Sequence, residues 1–183
     1  MILSLSYYGD PVLRKKALPI EEVNDEILHL AQDMIETMES QDGLGLAAPQ
    51  VGHSIRMFVI CVPEKISEEE DAELIKGVPE VFINPKLSSP SDEVGVFLEG
   101  CLSIPKIYGD VVRPTSIHIE AMNLDGEIFK RELTELEARV VMHENDHING
   151  VLFIDRIKGK KRKILEPQLL EVRKEYYEQG SRS

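Results

Sequence analysis

The sequence predicts an α+β fold: mixed or antiparallel strands packed around one central helix, with a second helix at the C-terminus. Three observations carry that expectation. The run IRMFVICV at 55–62 is short, apolar and rich in β-formers, so it reads as a buried strand. SIHIEAMNLDGEIF at 116–129 is a hairpin signal, with Ile117, Ile119 and Ala121 alternating and Asp125-Gly126 at the turn. TELEARVVMHENDHING at 134–150 is the strongest helix in the chain. Strands joined by hairpin turns and bracketed by helices are not a βαβ series.

A first helix begins after Asn24, a capping residue, and Ile27, Ala31, Met34, Ile35 and Met38 follow at helical spacing until Asp42-Gly43 stops it. His29 lies opposite that stripe, His53 falls in a turn, and His118 faces away from Ile117 and Ile119, so all three are expected at the surface. Cys61, inside the apolar strand, reads as a small core residue. The acidic stretch 64–79 is expected to be a surface excursion containing a short helical turn. Strands resume at 81–84 and 94–98. Thr134 and Glu137 form the pattern of a capping box at the start of the strong helix, and Asn149-Gly150 ends it. A last helix, about 164–180, follows the basic run RIKGKKRK at 156–163.

The chain has 183 residues, which suits one domain spanning 1–183. Its formal net charge of -12 argues against non-specific binding to nucleic acid. No apolar run approaches the roughly 20 residues of a membrane-spanning helix. The N-terminus lacks a signal-peptide pattern, and two cysteines are too few for a disulfide scaffold, so a cytoplasmic protein is expected.

His143-Glu144-Asn145-Asp146-His147 has the form H-E-x-x-H. Residues four apart share a helix face, so both imidazoles can converge on one ion. Leu136, Val140, His143 and His147 continue one apolar stripe, which turns the histidines inward, where a metal would satisfy them. Glu144 is displaced about 100° around the helix and can act as general base without being a ligand. A catalytic ion usually has three protein ligands and an open position. No histidine follows His147, and among soft donors Cys101 in VFLEGCLSIP stands out, leaving a strand at a turn after Gly100. Without the helix motif, a buried structural thiol would be its simplest reading.

GLGLAAPQVG at 43–52 opens as G-x-G-x-x-A, a form of the dinucleotide fingerprint. That fingerprint needs a strand before it and a helix after it. Here a helix precedes, Pro49 interrupts and a strand follows, so the nucleotide reading fails. Gly43, Gly45 and Ala47 instead leave backbone uncovered, where an extended peptide can pair as an added strand.

GLGLAAPQVG, EGCLSIP and HENDHING, in this order and with YGDPVLRKKA near the start, closely resemble the peptide deformylases. The likeness runs over most of Tyr7 to Asp155. It departs at Met142, where many members carry glutamine, and in the acidic stretch 64–79. The resemblance implies a hydrolase that removes the formyl group from N-terminal formyl-methionine and releases formate. It implies metal ligation by Cys101, His143 and His147, Glu144 as base, and the Gln50 side chain with the Leu102 N–H as donors to the formyl oxygen. It also implies iron(II), whereas the donor set alone accepts zinc, nickel or cobalt. Glu99 and Asp146 are expected to orient ligands or neighbouring backbone. Gly43, Gly45, Glu99, Ile104 and Val140, with Val141 and the face of His143, are expected around the substrate. Formylated nascent chains are the implied partner, with a possible ribosome contact through 156–163 and neither a membrane nor a sequence-specific nucleic-acid partner. Two rivals stay open: a metallopeptidase cutting internal bonds, and a closed, non-catalytic metal module completed by Cys61.

Overall fold

The computed structural model describes residues 1–65 and 74–178. Its main sheet is built from β1 (Gly45–Ala47), β2 (Met57–Ile60), β5 (Glu80–Ser88), β8 (Ser116–Met122) and β9 (Ile128–Thr134), hydrogen-bonded in that order. Every ladder in it is antiparallel, and the parallel contact among described residues is the isolated bridge Leu18–Ile55. A separate two-stranded ribbon pairs β6 (Val94–Cys101) with β7 (Ile104–Pro114). The flanks of the acidic stretch, β3 (Glu64–Lys65) and β4 (Leu74–Ile75), also pair. The helical turn expected there falls largely on 66–73, outside the described residues.

All four residues of β2 are buried because the sheet is covered on both faces. Met57 and Val59 pack with Ala31, Met34 and Met38 of α1 (Asp25–Ser40). Phe58 and Ile60 pack with Ala138, Val141 and Met142 of α2 (Glu135–Ile148). Asn24 caps α1 as expected, its side chain accepting from the Ile27 N–H at 3.1 Å. The other side of α2 faces the β6–β7 ribbon, so the helix bearing H-E-x-x-H lies between two layers. A third cluster, including Ile104, Ile107 and Val111 of β7, packs against Phe153, Leu169 and Val172.

Several expectations are corrected. Thr134 precedes α2 but makes no side-chain cap; Arg131 of β9 takes Glu137, donating to its carboxylate at 2.6 Å, and a charge-assisted bond outcompetes a capping bond. Leu136 is 44% exposed, so the apolar stripe of α2 begins at Val140. The last helix, α3 (Gly159–Val172), starts within the basic run and continues as π-helical turns over Arg173–Glu178. Arg162 donates to the Ile154 carbonyl and Lys161 pairs with Asp110, which anchors that early start. Strand β7 was not expected, because Pro105, Gly109 and Pro114 interrupt it. A two-stranded ribbon tolerates them, since each strand is an edge.

Candidate metal centre

Cys101 closes β6, where the ribbon shifts register between Glu99 and Cys101 before turning through Leu102-Ser103. A side chain at Gly100 would press into the Tyr108 ring, so glycine lets β7 close over this end of β6. His143 and His147 sit one turn apart on α2, ring centroids 5.1 Å apart. The Cys101 Sγ stands 3.2 Å from His147 Nε2. One donor atom each from Cys101, His143 and His147 lies within 4.8 Å of the others, the span of a single ion's ligands.

The charges behind these ligands are densely connected. Glu99 is buried and accepts from Arg113 Nε at 2.6 Å, Arg113 Nη2 at 2.9 Å and Arg139 Nη1 at 2.7 Å. Its Oε2 also lies 2.9 Å from His143 Nδ1, which leaves Nε2 of that ring for an ion. Arg113, 2% exposed, reaches Asp146 at 2.9 Å with its remaining arm, and Arg156 holds Asp146 through two bonds of 2.6 Å. Burial opposes the charge on Glu99, but the bonds from Arg113 and His143 outweigh it and hold the carboxyl well below the usual range. Burial likewise opposes charge on His143; contacts with Cys101, Glu99 and Glu144 override it and favour a proton on the ring, the position an ion takes when bound. His147 is driven the other way, far below its ordinary value, by burial and then by the charges of His143 and Arg113. Glu144 is pushed up to about 7, chiefly by burial.

Glu144 is 4% exposed and its Oε2 has no hydrogen-bond partner among the described residues. Its carboxyl lies against Gly45, where any side chain would overlap it. Gln50 is 1% exposed: its Oε1 accepts from the Ala47 N–H at 2.8 Å, which turns Nε2 toward Ser103 Oγ at 3.2 Å and Cys101 Sγ at 3.4 Å. A cavity of about 670 Å³ opens beside these groups, with Gly45, Gln50, Ile104, Val140, His143 and Glu144 in its wall. Glu99, Cys101 and Leu102 also reach it, as do Tyr7, Leu136 and Tyr176. A larger cavity of about 850 Å³ lies between Lys16–Pro19 and strands β5 and β8. It contains none of the Cys/His group, so donor chemistry and not size identifies the site.

The expected residues do not all converge. Gly43 is outside the cavity wall; its N–H bonds to the Met38 carbonyl at 3.0 Å, and its missing side chain makes room for Leu102. Val141 is fully buried in the sheet-side core, on the wrong face of α2 for the cavity. Asp146 is spent on Arg113 and Arg156. Cys61 lies in the α1-side core with its thiol 3.3 Å from the Gly77 carbonyl, so it does not complete a closed four-ligand site. His29, His53 and His118 are exposed, as expected. Three further residues, Arg113, Arg139 and Tyr176, reach the site without a motif to mark them. Arg113 stands amid VVRP, an inward position of a strand whose pattern Pro105, Gly109 and Pro114 break; Arg139 precedes His143 by four and so shares its helix face.

A thiol and two imidazoles within reach of one ion, beside an orphaned buried carboxylate oxygen, fit a divalent transition metal. A family profile described as polypeptide deformylase matches residues 2–163. The peptide deformylase of Pseudothermotoga lettingae is 41% identical over 172 residues, 94% of this chain and 92% of the relative. That of Acinetobacter baumannii is 45% identical over 161 residues, 88% of this chain and 86% of the relative. Among solved structures, Arabidopsis thaliana peptide deformylase 1B in complex with an inhibitor superposes with a TM-score of 0.84 at 37% identity, covering 97% of this chain and 93% of the other. The Thermotoga maritima enzyme gives 0.76 at 40% identity, covering 87% and 99%. The chain therefore belongs to the polypeptide deformylase family.

Proposed function

We propose that this chain hydrolyses the N-formyl group of peptides that begin with formyl-methionine, releasing formate at the Cys101, His143 and His147 centre. One observation supports this reading above the rest: the Glu144 oxygen, buried and without a partner, beside three metal-ligating side chains. The ion, when bound, supplies Lewis-acid polarisation and lowers the pKa of water in the site towards about 7. Iron(II) is our choice, with zinc, nickel or cobalt as substitutes.

Glu144 takes a proton from the attacking water and later returns it to the leaving amine. A carboxyl raised to about 7 is matched to that exchange near neutral pH. Gln50 Nε2 and the Leu102 N–H donate to the formyl oxygen as charge develops on it; one such donor is worth roughly 3 kcal/mol. Gln50 needs no reorganisation, because the Ala47 N–H already holds its other end. The peptide backbone pairs as a strand with β1, which hydrogen-bonds to β2 and to no other strand of its sheet. Ile104 and Val140 receive the methionine side chain, and Glu99 acts behind His143 and not on the substrate.

Residues 1–183 act as one catalytic unit in the cytoplasm, on nascent chains. No helix of the described residues is long and apolar enough to cross a membrane. Within the basic run, Arg156, Lys161 and Arg162 are engaged with Asp146, Asp110 and the Ile154 carbonyl. Lys158, Lys160 and Lys163 have no side-chain partner among the described residues and would make the ribosome contact, which a salt-dependent pull-down of the triple charge reversal tests.

The deciding experiment is formate release from formyl-Met-Ala-Ser by anaerobically purified protein. Glu144→Gln should keep its metal and lose release. Cleavage of the unformylated peptide by the wild type would favour the metallopeptidase; full activity of Glu144→Gln would remove Glu144 as base.

A further inference from the structure

The β6–β7 ribbon carries apolar side chains on both faces. Its inner face buries Ile107 and Val111. On its outer face, where alternation places polar residues in a one-sided antiparallel pair, stand Val94, Val96 and Leu98 of β6 and Tyr108 and Val112 of β7, between 55% and 66% exposed. The register sets Val96 opposite Val112 and Val94 opposite Pro114, so they form one stripe. Asp110, opposite Leu98, is the charged member, and Lys161 holds it at 2.9 Å. Contiguous exposed apolar surface of this kind marks an interaction site.

The stripe is continuous with the reaction cavity, because Leu98 and Tyr108 also contribute to the cavity wall. We infer that the outer face of the β6–β7 ribbon binds the downstream part of the substrate: an extended peptide segment with apolar side chains, about four to eight residues beyond the formyl group. Val94 precedes Cys101 by seven residues, about 23 Å of strand at roughly 3.3 Å per residue, a span that an extended peptide covers in the same number of residues. A second copy of the chain is a poorer occupant, since seating it on Leu98 and Tyr108 would cover the cavity mouth. The inference rests on the deformylase reading of the cavity.

The test compares formyl-Met-Ala-Ser with two formylated octapeptides sharing that start, one continuing with Val and Leu, the other with Ser and Asn. Wild-type protein should show a KM about tenfold lower for the apolar octapeptide than for the other two, with equal kcat. In V96T/V112T, which keeps β-branched residues on the ribbon, that preference should vanish while turnover of formyl-Met-Ala-Ser is unchanged; V96I/V112I should retain it. Equal KM for all three peptides in the wild type, or a preference surviving V96T/V112T, overturns the inference. Self-association abolished by V96T/V112T, with no octapeptide preference, also overturns it and assigns the face to a second copy. Failure to deformylate formyl-Met-Ala-Ser would remove the deformylase reading alone: binding of the two octapeptides, followed by fluorescence anisotropy, would still decide the face.

Discussion

Replacing Arg113 by Met tests what holds the centre together. The substitution removes the bonds of 2.6 and 2.9 Å to Glu99 and of 2.9 Å to Asp146, leaving an apolar chain of similar reach. Breaking one partner out of a buried ion pair costs about 3–5 kcal/mol, because the other charge stays buried. Glu99 keeps Arg139 at 2.7 Å and Asp146 keeps Arg156, so neither carboxylate is stranded and the lower figure, about 3 kcal/mol, applies. For a protein of this size that is a fall in Tm of roughly 6–12 °C. The same arginine fixes the carboxylate that meets His143 Nδ1, so metal affinity should fall by about 10–100-fold. Urea unfolding at pH 7 and chelator competition measure the two effects. Adding Glu99→Gln should cost less than the sum of the single losses, since it removes the charge that Arg113 had neutralised. A loss below about 1 kcal/mol with unchanged metal affinity would mean that Arg113 does not hold the centre together, because a buried, bidentate partner is not that dispensable.

Gly45→Ala places a methyl in the space of the Glu144 carboxyl. Formate release should fall by about 100-fold, the effect of misplacing a catalytic group by about 1 Å, with metal content unchanged; full activity would show that Glu144 can yield without consequence. Asp155 is held below its ordinary range: burial opposes this, but bonds from Arg14 and the Leu152 N–H prevail. A carboxyl depressed in the folded state contributes stability above its unfolded value of 3.8, and that contribution is lost as pH falls through the folded value. Arg14→Gln should therefore be less stable than wild type at pH 7, with the difference shrinking below about pH 4; denaturant titrations at three pH values that gave the same difference throughout would show the pair idle. Chelation should abolish formate release and lower Tm, by the linkage that makes ligand at 100 times its Kd worth about 2.7 kcal/mol. In Cys101→Ser the chelator-induced shift should be much smaller, and an equal shift would exclude the thiol as a ligand.

Local chemistry by itself determined several features. Asn24 before an apolar stripe starts α1, Asp125-Gly126 turns the β8–β9 hairpin with Gly126 at φ 80°, and the helical period puts His143, His147 and Glu144 on neighbouring faces. Each depends on residues within a few positions of one another, and short-range sterics and spacing decide them. The same period misplaced Leu136, because it assigns a face to a side chain without saying what covers that face. Cys101 meets His147 across 46 residues, and Arg113 meets Glu99 and Asp146 from two different elements. Strand β7, interrupted by Pro and Gly, exists because β6 pairs with it and the third cluster packs beneath it. The capping box of α2 was lost to Arg131, which only the adjacent β9 brings within reach of Glu137. Contacts of this kind form when close packing leaves a buried charge or a free backbone edge one nearby partner, and which partner that is depends on the whole arrangement of layers.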